Sequence, residues 1–162
     1  MPPRAVAEGH WKAVDFFSMA GKPKDSAPFL GAWTLLSYEL LLASGVVEKP
    51  LGDHPLGRIL YLDNGQMSAQ VANSGSHPLA NADPREATPQ EAGRAWRNYI
   101  GYWGTFTVDA EAGVVIHAVD GAWFPNWIGQ NQVRHYRFSG NTLTLEADAP
   151  DWHATLIWRR IE

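Results

Sequence analysis

Residues 56–72 read LGRILYLDNGQMSAQVA. Two apolar runs flank Asp63-Asn64-Gly65, a tight-turn signal that joins neighbouring antiparallel strands. The reading predicts a strand over 56–62, a turn, and a returning strand over 66–72. The same grammar recurs downstream. A strand over 98–108 turns at Glu111-Ala112-Gly113 and returns as Val114–Asp120. Ser139-Gly140-Asn141 separates strands over 131–138 and 142–147, and after Pro150 the stretch 153–161 forms the last strand. Upstream, 30–42 is a long apolar run rich in aromatic residues, and 46–48 extends it past a Ser44-Gly45 turn. This makes eight or nine strands joined mostly by tight turns. Successive hairpins place neighbours antiparallel. The economical solutions are a sandwich or closure into an up-and-down barrel, and closure removes exposed strand edges.

Two stretches break the strand pattern. Thr88-Pro89-Gln90-Glu91 opens a short inserted helix running to about Arg97: Thr88 caps, Pro89 suits the first helical position, and Glu91 completes a capping box. Residues 5–19 carry Ala7, Trp11, Val14 and Phe17 at helical spacing, an amphipathic helix stopped by Gly21 and Pro23. The expected organisation is an N-terminal helix and linker over 1–28 and an all-β barrel domain over 29–162. The N-terminal helix either packs on the main body or serves as a partner-binding arm, which leaves room for a homodimer.

Composition narrows the function. The chain has 162 residues, no cysteine and a formal charge of −4. That length suits one domain, which can bury a sizeable core without staples. Without cysteine, disulfides, thiolate zinc sites and cysteine nucleophiles are excluded. The six histidines show neither H-x-H nor H-E-x-x-H nor i,i+4 spacing, so no metal is expected. No dinucleotide, Walker or G-x-S-x-G motif occurs, so no cofactor is expected either. An acidic chain without basic runs argues against nucleic acid, and no apolar run approaches a membrane span. The N-terminus lacks the pattern of a signal peptide, and the expected compartment is the cytoplasm. Aromatic residues, however, make up 12% of the chain, with 8 Trp among them. Flat apolar surface is in heavy use, as core or as pocket.

Gly31-Ala32-Trp33 opens the first long strand and Trp158-Arg159-Arg160 ends the last. Between them come Leu60-Tyr61 before the D-N-G turn, Met67-Ser68-Ala69-Gln70, Tyr99-x-Gly101-Tyr102-x-Gly104, Pro125-Asn126-Trp127-x-Gly129 and Gln132-x-Arg134. In this order, over residues 29–161, they resemble the bacterial and fungal lipocalin-like domain family. The resemblance implies a calycin-type barrel in which Trp33 plugs one end, an Arg from the final strand lies across it, and an internal cavity takes a small, mostly apolar molecule. Trp158 is expected to share the closure of that end. Secreted lipocalins usually carry a leader and a disulfide. This chain shows neither, so extracellular transport is not carried over.

Aromatic walls with a few convergent polar groups are what a small-molecule pocket needs. The candidate ligand-binding residues are Tyr61, Gln70, Tyr99 and Trp103 on the strands, Trp123, Asn126 and Trp127 in the irregular Trp-rich stretch, Tyr136, and Trp152 before the last strand. His117 sits in a strand among apolar neighbours. It is either a hydrogen-bonded structural residue or a general acid/base. Tyr102 is its candidate partner, and Arg134 would bind a carboxylate or stabilise an enolate. Two functions follow. The first is a barrel that binds an apolar or aromatic metabolite. The second is a cofactor-free cyclase, isomerase or dehydratase of secondary metabolism, with His117, Tyr102 and Arg134 as its catalytic set.

Overall fold

The Asp63-Asn64-Gly65 turn closes as its residues dictate. Gly65 adopts φ +81°, a conformation open to glycine at no steric cost, and the strands on either side pair Tyr61 with Met67. A computed structural model describes residues 23–162, and the predicted 5–19 helix lies outside the described residues. A short helix α1 (Pro23–Ser26) leads into β1 (Gly31–Leu42), β2 (Val47–Glu48), β3 (Leu56–Tyr61) and β4 (Gln66–Ala72). A 3-10 turn at Pro84–Glu86 precedes α2 (Pro89–Arg97). Then come β5 (Tyr99–Asp109), β6 (Val114–Ala122), a 3-10 turn at Pro125–Trp127, β7 (Asn131–Ser139), β8 (Thr142–Ala149) and β9 (Trp152–Arg160).

The strands follow one another around the sheet, all antiparallel, and β1 also pairs with β9. The result is a closed eight-stranded barrel with β2 added at the edge of β1. Long β1 makes closure possible: its first residues pair with β3, while Trp33 through Leu42 pair with β9. Alternation then sorts the side chains. On β4, Met67, Ala69 and Val71 are buried while Gln66, Ser68 and Gln70 face outward.

One barrel end is sealed. Trp33 is fully buried and its indole N–H donates to the Phe29 carbonyl at 2.8 Å. The Arg160 guanidinium lies 4.1 Å from the Trp33 ring centroid and donates to the carbonyls of Leu30 at 2.6 Å and Pro28 at 2.5 Å. Cation over ring and two charge-assisted hydrogen bonds thus fix α1 and its following turn to the last strand. Phe29 fills the space above, edge-on to Tyr61, Tyr136 and Phe138. Trp158 is not part of this seal. It pairs with Leu35, two residues further along β1 than Trp33, and forms cavity wall instead.

The inserted helix forms as its capping box requires. The Glu91 carboxylate accepts from the Thr88 N–H at 2.9 Å and from the Thr88 hydroxyl, while Thr88 Oγ1 accepts from the Glu91 N–H. It also takes the Ala80 N–H at 2.9 Å, tying the preceding loop to the helix start. These donors favour the ionised carboxylate and hold its pKa at about 2.

Candidate functional site

A cavity of about 490 Å³ occupies the barrel end opposite the Trp33 seal. Its walls are mainly apolar, with Ile59, Val71, Leu145 and Leu156 among them, and five aromatic rings join these: Tyr38, Tyr102, Trp127, Trp152 and Trp158. Tyr38 and Arg134 bring polar groups to the same space. The size is that of a pocket for one small organic molecule. Trp152, partly exposed, stands at the rim together with Asp148 and Ala149. Asp148 is engaged with His153 Nδ1 at 2.7 Å.

Below the cavity floor lies a buried polar chain. His117 is completely buried. Its Nδ1 is 2.8 Å from the Tyr102 hydroxyl, and its Nε2 is 2.8 Å from the Tyr61 hydroxyl. Tyr102 lines the cavity, whereas His117 and Tyr61 do not. Tyr61 is packed edge-on between Phe29 and Phe106. Burial disfavours the imidazolium, helped by the positive charge of Arg134, and lowers the His117 pKa to about 3. Burial also raises both tyrosines, Tyr61 well above its ordinary value. The chain is therefore neutral at pH 7.

Arg134 stands beside this chain on β7. It donates to the carbonyl of Val133 at 2.8 Å and to the Gln132 side chain at 3.2 Å. Among the described residues, no carboxylate forms an ion pair with it. Its charge acts on Tyr38, Tyr61, Tyr102 and His117 alike.

The structure divides the sequence candidates. Tyr102, Arg134, Trp127 and Trp152 come together around the cavity. Tyr61 and Tyr136 point inward but belong to the packed seal, touching Phe29. Gln70, Tyr99 and Trp103 take no part: the pleat of β4 and β5 puts them on the outer face. There the Tyr99 hydroxyl bonds the Gln70 amide, and the Trp103 ring lies over Gly121, where a Cβ would meet ring carbon at 2.2 Å. Trp123 stacks on Trp96 of α2 at 4.1 Å, outside the cavity, and Asn126 is exposed. Trp123 in turn touches Trp127, which meets Tyr102 edge-on at 5.7 Å, so an aromatic ladder links α2 to the cavity wall. Tyr38 and Trp158 line the cavity and escaped selection as site residues. A register shift between Leu35 and Ser37 turns Tyr38 inward, which simple alternation from Trp33 would place outside.

A family model described as a lipocalin-like domain matches residues 30–161. A carrier protein for 4'-hydroxy-3'-methoxypropiophenone from Aspergillus oryzae (strain ATCC 42149 / RIB 40) is 33% identical over 107 residues, 59% of this chain and 96% of the relative. Among solved structures, a REP1-NXSQ fatty acid transporter superposes with a TM-score of 0.40 and 14% identity, covering 84% of this chain and 98% of that one.

Proposed function

Given that the chain belongs to the lipocalin-like domain family, we propose that its barrel binds and carries a small aromatic metabolite in the cavity above the Tyr102–His117–Tyr61 chain. The observation that carries this reading is the cavity itself. About 490 Å³ of mostly apolar, aromatic-walled space, with a few polar groups such as Tyr38, Tyr102, Gln132 and Arg134, matches one ring system bearing one or two oxygens. The relative named as a carrier of an aromatic ketone supports the same chemistry.

An acid–base enzyme built on His117 has less support. Such a role needs a group that exchanges protons near the working pH and reaches the substrate. His117 stays neutral down to about pH 3, and both ring nitrogens are occupied by tyrosine hydroxyls. Tyr102, which does reach the cavity, has its pKa raised by burial.

Titration with 4'-hydroxy-3'-methoxypropiophenone, followed by tryptophan fluorescence and calorimetry, tests the carrier reading. Saturable binding of one molecule per chain is expected, and Ala154→Phe, which fills the cavity from β9, should abolish it. No binding up to about 1 mM, the weak end of specific affinity, or undiminished binding by the filled variant, would overturn the proposal.

A further inference from the structure

We infer that the Tyr61–His117–Tyr102 chain is hydrogen-bonded in one direction only, so that the Tyr102 hydroxyl proton is left facing the cavity to hold a carbonyl-type oxygen on the ligand. This rests on the cavity-binding reading and names the chemistry of its ligand.

Neutral histidine carries one ring N–H, and each tyrosine carries one O–H. Three protons are thus present, while the two contacts at 2.8 Å consume two. One hydroxyl proton is left over, and the tautomer decides which. If Nε2 holds the hydrogen, it donates to Tyr61, and Tyr102 donates to Nδ1. The spare proton then belongs to Tyr61. That hydroxyl lies in a packed aromatic layer, with no hydrogen-bond partner other than His117 among the described residues. A buried donor without an acceptor costs its full desolvation.

The other direction has no such cost. Tyr61 donates to Nε2, and Nδ1–H donates to the Tyr102 oxygen. The spare proton now belongs to Tyr102, whose side chain lines the cavity. The Arg134 guanidinium lines the same cavity, and its positive charge bears on Tyr102. A hydroxyl that accepts a hydrogen bond becomes a stronger donor in turn, because hydrogen bonds in a chain polarise one another. The cavity therefore presents the Tyr102 donor alongside the Arg134 cation, in a wall that is mostly apolar and also holds Tyr38, Gln132 and the unpartnered indole N–H of Trp158. Its complement is an acceptor oxygen carrying partial negative charge, such as an aryl ketone carbonyl. A ligand offering only a donor at that position leaves both groups unmatched.

His117 is on this account a positioning residue. It touches no ligand, and its role is to turn the Tyr102 proton outward.

Two measurements test this. Long-range 15N correlation spectra of the full chain at pH 7, with His117 assigned by comparison with His117→Gln, read the tautomer directly. A proton on Nδ1 is expected, and a proton on Nε2 would overturn the inference. The second measurement compares affinities for propiophenone and n-propylbenzene, which differ in the carbonyl. The ketone-to-hydrocarbon affinity ratio should fall about tenfold in Tyr102→Phe, the worth of one neutral hydrogen bond. An unchanged ratio would count against the inference. Failure of both compounds to bind the unaltered chain would sink the cavity-binding reading instead, and the spectrum would still decide the direction of the chain.

Discussion

A neutral imidazole locked between two hydroxyls makes stability depend on pH. The folded His117 titrates at about 3 against an ordinary 6.5. Below pH 6.5 the unfolded chain binds a proton that the folded chain refuses, so unfolding is favoured as pH falls. The contribution vanishes above 6.5 and grows by about 1.4 kcal/mol per pH unit on the way down to 3. Urea unfolding between pH 4 and 7 should show that slope. His117→Gln, which carries no titrating ring, should flatten it at some cost in stability at pH 7. A slope unaltered by the substitution would place the acid sensitivity elsewhere. The same residue marks a limit of sequence reading. A histidine among apolar neighbours announces a buried partner or a site. Both partners, however, come from other strands, Tyr102 on β5 and Tyr61 on β3, and only closure of the barrel brings the three together.

At the level of elements, the inserted helix depends on its first turn. Thr88→Ala removes the acceptor for the Glu91 N–H and should cost about 1 kcal/mol locally, as helix caps do. Faster amide exchange over 89–97, with the barrel strands unchanged, is the expected readout. Uniform loosening of the whole chain would contradict it. Glu91 adds a pH term of its own. Its pKa is lowered from 4.5 to about 2, so its contribution is complete above 4.5 and disappears as pH falls through 2. This helix start was legible because capping is local chemistry. So were the hairpins: the D-N-G turn and the strand boundaries around it need only neighbouring residues. The facing of the strands was not. The register shift near Ser37 brings Tyr38 to the cavity, and the pleat of β5 sends Trp103 outward over Gly121. Both depend on which strand lies alongside, and sequence spacing within one strand does not encode that.

For the molecule as a whole, closure rests on the β1–β9 seam and the seal at its end. Arg160 joins three segments at once: β9, the turn after α1, and the Trp33 ring. Arg160→Ala removes two charge-assisted hydrogen bonds and the cation over the ring. A loss of about 2–4 kcal/mol in unfolding free energy is expected, measurable by chemical denaturation. A change below about 0.5 kcal/mol, the ordinary range for surface substitutions, would mean the seal stands without it. The pairing of Gly31-Ala32-Trp33 with an arginine from the last strand was readable as a resemblance, and the structure places Arg160 in that position.

The seal also governs traffic. Among the described residues, Phe29, Trp33 and Arg160 stop one end of the barrel, and the cavity opens at the other, with Trp152 at its rim. If the cavity carries a guest as proposed, that guest would leave by the end it entered, since the sealed end gives no passage from behind. Exchange would then be sequential: a rival compound would refill an emptied barrel without hastening the emptying. The dwell time of such a guest would be a property of the rim around Trp152, and a receiver of it would have to act there.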